Sequence, residues 1–156
     1  MLQKEQLQTI EKEIRDLLER LEMRAEVKAE QGEDSQEPTV QVAIVVEEPK
    51  MLIGEKGQTL FELQHVVKLM LRKKIAEPFY LSLDVNEYKK NKEEYLRDVA
   101  KTAADEAVLL KKPKELPPMP ASERRVIHVA LAKRTDVTSE SVGDGPDRKV
   151  VINPKS

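Results

Sequence analysis

The stretch MLIGEKGQTL, residues 51–60, contains two glycines that are three positions apart and flanked by apolar residues. The chain has 156 residues and only five glycines, so the pair Gly54 and Gly57 concentrates a residue that normally weakens regular structure. Glu55 and Lys56 lie between them. This pattern predicts a turn between two helices, at which a ligand can approach the backbone closely because glycine has no Cβ atom.

The residues on either side of this turn follow helical and strand patterns in alternation. Apolar residues recur at helical spacing in 2–22, and Val and Ile are concentrated in the segment TVQVAIVVEE. The predicted elements are a helix at 2–22, strands at 23–30 and 39–48, a helical turn at 49–54, a helix from Gly57 to about Lys74, and a strand at 79–85. The first part of the chain therefore has the predicted order helix, strand, strand, helix, helix, strand.

The rest of the chain is divided by the proline-rich segment KKPKELPPMP at 111–120. Its four prolines exclude a helix. A long charged helix is predicted before it, at about 87–111, and a helix followed by two short strands is predicted after it. We therefore predict a first domain at 1–86, a connector at 87–120 and a second domain at 121–156.

Composition narrows the classes of function. Hydrophobic residues make up 39% of the chain and charged residues 36%, which allows a core beneath a strongly solvated surface, and the net charge is −2. The absence of cysteine excludes disulfides and thiolate chemistry. No apolar run reaches the roughly 20 residues of a membrane span, and the sequence has no nucleophile or metal-ligand motif. We therefore predict a cytoplasmic protein that is not an enzyme and needs neither a cofactor nor a metal.

Charge is distributed unevenly along the chain. Residues 1–86 carry a net charge of −5 and residues 87–156 one of +3, but residues 50–74, which contain the glycine pair, carry +4. A helix that begins after a Gly-x-x-Gly turn presents free N–H groups and the positive end of its dipole, and both favour a phosphate. The turn at 54–57 is therefore a candidate phosphate site, and a plain helix–helix turn is the alternative.

A second motif lies in the segment ASERRVIHVAL at 121–131. Arg124 and His128 are four positions apart and so share one face of a helix, and Arg125 adjoins them. Apolar residues form the neighbouring face, so these three side chains are expected to project together toward solvent. Arginine offers a planar fork for phosphate, and histidine adds a stacking ring and a hydrogen-bond donor. The alternative for His128 is an exposed helix histidine without a role.

Both motifs resemble known nucleic-acid-binding modules. The element order and the pattern LIGEKGQTLFELQ at 52–64 resemble the type II KH domain, which implies that the turn clamps single-stranded RNA or DNA. The Arg-x-x-x-His pattern resembles the signature of the R-three-H domain, which binds single-stranded nucleic acid. With the segments VTSES and GPDRKVVINP, residues 1–154 resemble the bacterial Jag (KhpB) family. The implied fold class is α+β, with a type II-like KH domain (α-β-β-α-α-β) followed by a small α/β R-three-H domain.

This resemblance implies an RNA-binding protein, with family roles in post-transcriptional regulation and in cell elongation or division. Single-stranded RNA, and single-stranded DNA as a second ligand, are the expected nucleic-acid partners. A KH-type protein or a second copy of the chain is the expected protein partner. The alternative is a protein–protein adaptor, associated with a membrane insertase or with cell division, that binds nucleic acid weakly.

Some positions extend the resemblance and others depart from it. Arg148 and Lys149 stand where the family has basic residues, so they are expected to extend the binding surface, and a solvated strand end is the alternative. Glu55 departs from the family, whose loops usually carry basic residues at this turn. Many members also carry an additional N-terminal domain and a charged linker. The sequence shows neither, so it is expected to be a truncated form or a short member.

Overall fold

A computed structural model of the protein describes residues 1–33 and 36–155. The predicted first and second domains also contain residues 34, 35 and 156, which lie outside the described residues. The chain forms two compact units, residues 1–89 and 90–156. The first unit contains α1 (Lys4–Arg20), β1 (Ala25–Gln31), β2 (Thr39–Val46), α2 (Lys50–Ile53), α3 (Gln58–Arg72) and β3 (Tyr80–Val85). The second contains most of α4 (Tyr88–Leu110), then β4 (Lys114–Glu115), α5 (Ala121–Leu131), β5 (Val137–Val142) and β6 (Lys149–Pro154).

The sheet of the first unit is built around β2. This strand pairs antiparallel with β1 and parallel with β3. Buried and exposed residues alternate along it, as expected for a strand with one covered face. Val42 lies opposite Ala29 of β1 and Leu83 of β3, and all three are buried. Because directly paired residues share a face, the three strands present one continuous apolar surface.

Helices α1 and α3 cover that surface. Ile10, Ile14 and Leu18 of α1 are buried in one cluster with Leu71 of α3, as the helical spacing of the apolar residues predicts. Leu21, which the sequence pattern places in the same stripe, is 53% exposed because α1 ends one residue before it. The observed order of the six elements is the predicted order, and the prediction of a mixed α+β fold is confirmed.

The stretch 87–120, predicted as a connector, belongs to the second unit. Leu96, Ala100 and Ala104 of α4 are buried in one core cluster with Ile127 of α5. The sequence pattern was misleading because the inward face of α4 is a narrow stripe, largely of alanines, in a helix that is otherwise charged. Alanine has too little side chain to indicate burial by itself, so this face is recognised only when a partner element covers it.

The proline-rich segment is also part of the second unit. Its prolines exclude a helix, as predicted, but Lys114 and Glu115 form the short strand β4, and Leu116 is buried. β4 and β5 flank β6 in an antiparallel sheet. No helix in residues 1–33 and 36–155 is long and apolar enough to cross a membrane.

Candidate nucleic-acid interface

The Gly-x-x-Gly segment forms a tight turn between α2 and α3. Gly54 has φ +72° and ψ −175°, a combination that is essentially restricted to glycine. Lys56 has φ +53° and Gly57 has φ +78°, so both lie in the left-handed region. Three of four consecutive residues therefore have positive φ, and this reverses the chain within four residues.

Packing within the first unit leaves no room for a Cβ atom on Gly54 and little room for one on Gly57. A Cβ atom on Gly54 would collide with the side chain of Thr59, and one on Gly57 would lie 3.1 Å from the Cε1 atom of the Tyr88 ring. The sequence suggested that the missing Cβ atoms make room for a ligand. In the structure the space beside both glycines is filled by the protein, so the shape of the turn explains the glycines without a ligand.

The turn presents exposed groups next to the start of α3. The side chains of Glu55 and Lys56 are both exposed. The N-cap residue of α3 is Gly57, which makes no side-chain cap hydrogen bond, and the first turn of the helix contains no acidic residue. The positive end of the helix dipole therefore favours an anion at this position. Phe61, which follows in the first turns of α3, is 69% exposed. This residue was not among the predicted site residues, and an aromatic side chain outside the predicted inward stripe was the available signal.

The second motif lies on α5, and its His128 faces the strand β5. Arg125 is exposed, as predicted, but Arg124 and His128 are half-buried. His128 contacts two serines of β5, since its Nδ1 atom lies 2.7 Å from Oγ of Ser139 and its Nε2 atom lies 2.8 Å from Oγ of Ser141. The expectation that all three side chains project together toward solvent is therefore met in full only by Arg125. His128 packs against the serines of β5, and Arg124 is partly exposed and donates to the backbone of Met119.

The environment of His128 favours its neutral form. Burial lowers the pKa of the imidazole below its ordinary value, and the positive charge of Arg124 one helical turn away lowers it further. A neutral imidazole has one N–H donor and one acceptor nitrogen. One serine hydroxyl therefore accepts a hydrogen bond from the ring while the other donates one to it.

Arg124 and Arg148 are connected through the backbone of Met119. The Nε atom of Arg124 donates to the carbonyl oxygen of Met119 at 3.2 Å, and the N–H of Met119 donates to the carbonyl oxygen of Arg148 at 3.2 Å. The Nη1 atom of Arg148 donates to the carbonyl oxygen of Gly143 at 2.8 Å. The structure thus brings Arg148 to the same part of the second unit as Arg124 and His128.

Lys149 has a different neighbour. Its Nζ atom forms an ion pair of 2.8 Å with Glu115 of β4, and both side chains are partly exposed. This partly exposed pair connects β4 with β6 and engages the ammonium group that was expected to extend the binding surface. A role of Lys149 toward a ligand stays a prediction.

Ser139 and Ser141 are the site residues that reasoning from the sequence missed. They alternate along β5 with the exposed Thr138 and Glu140, on the same face as the buried Val137. Two hydroxyl residues on the inward face of a strand need polar partners, because burying an unsatisfied hydroxyl is unfavourable. That alternation, together with a histidine on the preceding helix, was the signal in the sequence.

Comparisons with known proteins agree with the division of the chain. The family model of the R-three-H domain matches residues 94–154, which lie within the second unit. The protein named "RNA-binding protein KhpB" of Clostridium symbiosum is 32% identical over 142 residues, covering 91% of this chain and 63% of that protein. The protein of the same name from Bacillus subtilis (strain 168) is 34% identical over 119 residues, covering 75% of this chain and 57% of that protein.

Similarity thus extends across both units. A third relative with the same name, from Streptococcus pneumoniae serotype 2, is 30% identical over 128 residues, covering 82% of this chain and 39% of that protein. The chain spans about three fifths of the length of the first two relatives. The match to the R-three-H model and the similarity to several KhpB proteins over most of the chain support assignment to the Jag/KhpB family.

Proposed function

We propose that this chain binds single-stranded RNA through two surfaces, one on each unit. The first surface is the turn at 54–57 with the start of α3. The second, which we call the arginine–histidine patch, consists of Arg124, Arg125, His128 and Arg148. Affinity comes mainly from phosphate contacts and base stacking, so the sequence preference is modest and binding weakens as salt increases.

The observation that carries this proposal is the arginine–histidine patch within the unit that the R-three-H model matches. Two of its guanidinium groups are held by backbone carbonyl oxygens, which orients them before a ligand arrives. An arginine that is already oriented loses less side-chain entropy on binding a phosphate than a freely rotating one. The name of the relatives, which describes them as RNA-binding, supports the same ligand class.

The first unit is proposed to be a KH domain of the type II arrangement. The order of its six elements, the parallel pairing of β2 with β3 and the Gly-x-x-Gly turn before α3 support this assignment. The turn would hold a phosphate at the start of α3, and the exposed ring of Phe61 would be available for stacking on a base. From family membership we also propose the finer role, post-transcriptional regulation linked to cell elongation or division.

A titration of the intact chain with fluorescently labelled single-stranded RNA tests the second surface. We expect Arg124→Ala to weaken binding by about 1–3 kcal/mol if the guanidinium stacks on a base. Loss of one phosphate contact should also reduce the slope of log affinity against log salt by about 0.7. The same titration with single-stranded and double-stranded DNA measures the preference for RNA.

Arg97→Ala is the matched control for this titration. Arg97 lies on α4 in an exposed ion pair with Glu93, so its removal changes the net charge by the same amount. The control should bind RNA like the parent protein apart from a small long-range charge effect. Equal affinity for the parent, Arg124→Ala and Arg97→Ala would remove the arginine–histidine patch from the binding surface. Absence of RNA binding by the parent would contradict the proposed function as a whole.

A second candidate function is a protein-binding role for the first unit. Three apolar side chains on α3 are substantially exposed, with exposed fractions of 69% for Phe61, 48% for Val66 and 48% for Leu69. A stripe of this kind on one helix is typical of a surface that another protein covers. The net charge of −5 in residues 1–86 also disfavours nucleic acid on most of this unit.

Substitution of the exposed apolar residues separates the two functions. We expect Val66→Lys together with Leu69→Glu to leave RNA affinity unchanged while abolishing capture of a protein partner by the intact chain in cell extract. The pair adds one charge of each sign, so it leaves the net charge of the unit unaltered. Loss of RNA binding with no loss of captured protein would assign this face to RNA instead.

A further inference from the structure

Both ring nitrogens of His128 are occupied by hydroxyl groups of the same strand. Ser139 and Ser141 lie two residues apart on β5, and their Oγ atoms are 2.7 and 2.8 Å from Nδ1 and Nε2. Opposite them on β6 are Ile152 and Val150, which are fully buried and hold this part of β5 against the core. The imidazole is therefore fixed at two points and cannot offer a ring nitrogen to a ligand without breaking one of these bonds.

The proton count of the cluster leaves one hydroxyl proton unused. In the neutral ring one nitrogen carries a proton and donates it to the first serine, while the other nitrogen accepts the hydroxyl proton of the second serine. The first serine thus uses an oxygen lone pair for the ring and retains its own O–H. Because its oxygen already accepts a hydrogen bond, cooperative polarisation makes this O–H a better donor.

We propose that Ser139 and Ser141 complete the nucleic-acid site of the second unit, as positioning residues for His128 and as the source of one hydroxyl donor for the ligand. This rests on the proposed function. The two serines are only partly buried, and Arg124 lies one helical turn from the imidazole to which they are hydrogen-bonded. In the proposed site the retained hydroxyl proton faces the ligand. A phosphate or carbonyl oxygen of the RNA accepts it, while the fixed imidazole contributes its ring face and edge rather than a nitrogen.

The surroundings of the cluster favour an acceptor ligand over a donor. Arg124 on α5 is the charged group that lowers the pKa of the imidazole. On β5 the neighbouring Glu140 lies on the opposite face and accepts a hydrogen bond from Asn153, so its carboxylate is directed away from the serines. A cationic arginine and a hydroxyl donor together match an oxygen of the sugar–phosphate backbone.

The test uses the intact chain with Ser139→Ala and Ser141→Ala, singly and together. RNA affinity is measured by titration, and the two ring nitrogens of His128 are observed by nitrogen NMR. We expect the double variant to bind RNA at least about fivefold more weakly, since it loses one ligand hydrogen bond and the fixed ring. The ring nitrogen signals should also move toward those of a freely exchanging imidazole. Replacing both serines by threonine keeps the hydroxyls and should retain RNA binding and the ring signals.

Thr138→Ala is the matched control, because it removes a hydroxyl from the exposed face of the same strand. It should bind RNA like the parent. Should the double alanine variant lose its fold, the single variants take its place, and parental affinity for both of them overturns the proposal. Parental affinity of a folded double variant, in a protein whose Arg124→Ala variant binds weakly, also overturns it while the proposed function stands. Failure of the parent to bind RNA instead contradicts the proposed function. In that case, unchanged His128 ring signals in the double alanine variant would separately overturn the positioning role of the serines.

Discussion

Replacing Gly54 by alanine should destabilise the first unit more than the same change at an unobstructed glycine. At φ +72° and ψ −175° an L-residue is strained by about 1–3 kcal/mol. The new Cβ would also collide with Thr59, whose side chain must rotate or move with the first turn of α3. Alanine restricts the unfolded chain, which offsets about 0.4–1 kcal/mol of this cost. We expect a net loss of about 2–4 kcal/mol in the free energy of unfolding.

Gly145→Ala is the comparison variant for this measurement. Gly145 also has positive φ, +56°, but apart from its two chain neighbours no described residue has an atom within 4 Å of the position that its Cβ would take. Its cost should therefore be limited to about 1 kcal/mol, which is the left-handed strain less the effect on the unfolded chain. Urea unfolding followed by circular dichroism gives the free energies, and hydrogen exchange of the β2 amides assigns the loss to the first unit. A Gly54→Ala variant as stable as Gly145→Ala would refute the argument that Thr59 and the backbone conformation require glycine.

Three further predictions concern binding and pH. Changing Glu55 and Lys56 both to Asp should weaken RNA binding, because added negative charge repels phosphate. The thermal midpoint should stay unchanged, because Asp tolerates the left-handed conformation of Lys56. Unchanged affinity would exclude the turn from the site. Because the pKa of His128 is lowered in the folded state, the unfolded state binds more protons below about pH 6.5, so the free energy of unfolding should fall as pH decreases through that window. His128→Gln should reduce this slope, and a slope equal to the parent's would contradict the assignment. Fragments 1–89 and 90–156, cut between the two cores, should each bind a long single-stranded RNA at least ~10-fold more weakly than the intact chain, and one fragment that matches the intact chain would refute the two-surface proposal.

The local sequence pattern determined the elements of the first unit. The alternation in TVQVAIVV and the helical spacing of Ile10, Ile14 and Leu18 predict one covered sheet face and the helix stripe that covers it. These signals are strong because large apolar side chains recur at a period that only one secondary structure satisfies. The glycine pair likewise marked the turn before α3, since positive φ is a local property of glycine.

Tertiary structure alone decided how α4 and the proline-rich segment are used. The stripe of Ala100, Ala103, Ala104 and Ala107 becomes part of a core only when Ile127 and the strands of the second sheet cover it. Because alanine side chains are small, the sequence does not indicate that this face is buried. The sequence showed that Arg124 and His128 share a helix face, but not that β5 lies against this face. The partners Ser139 and Ser141 are 11 and 13 residues from His128, and their contacts depend on the pairing of β5 with β6. A periodic pattern specifies which face of an element is apolar, whereas the neighbour of a polar side chain is set by packing between elements that are distant in sequence.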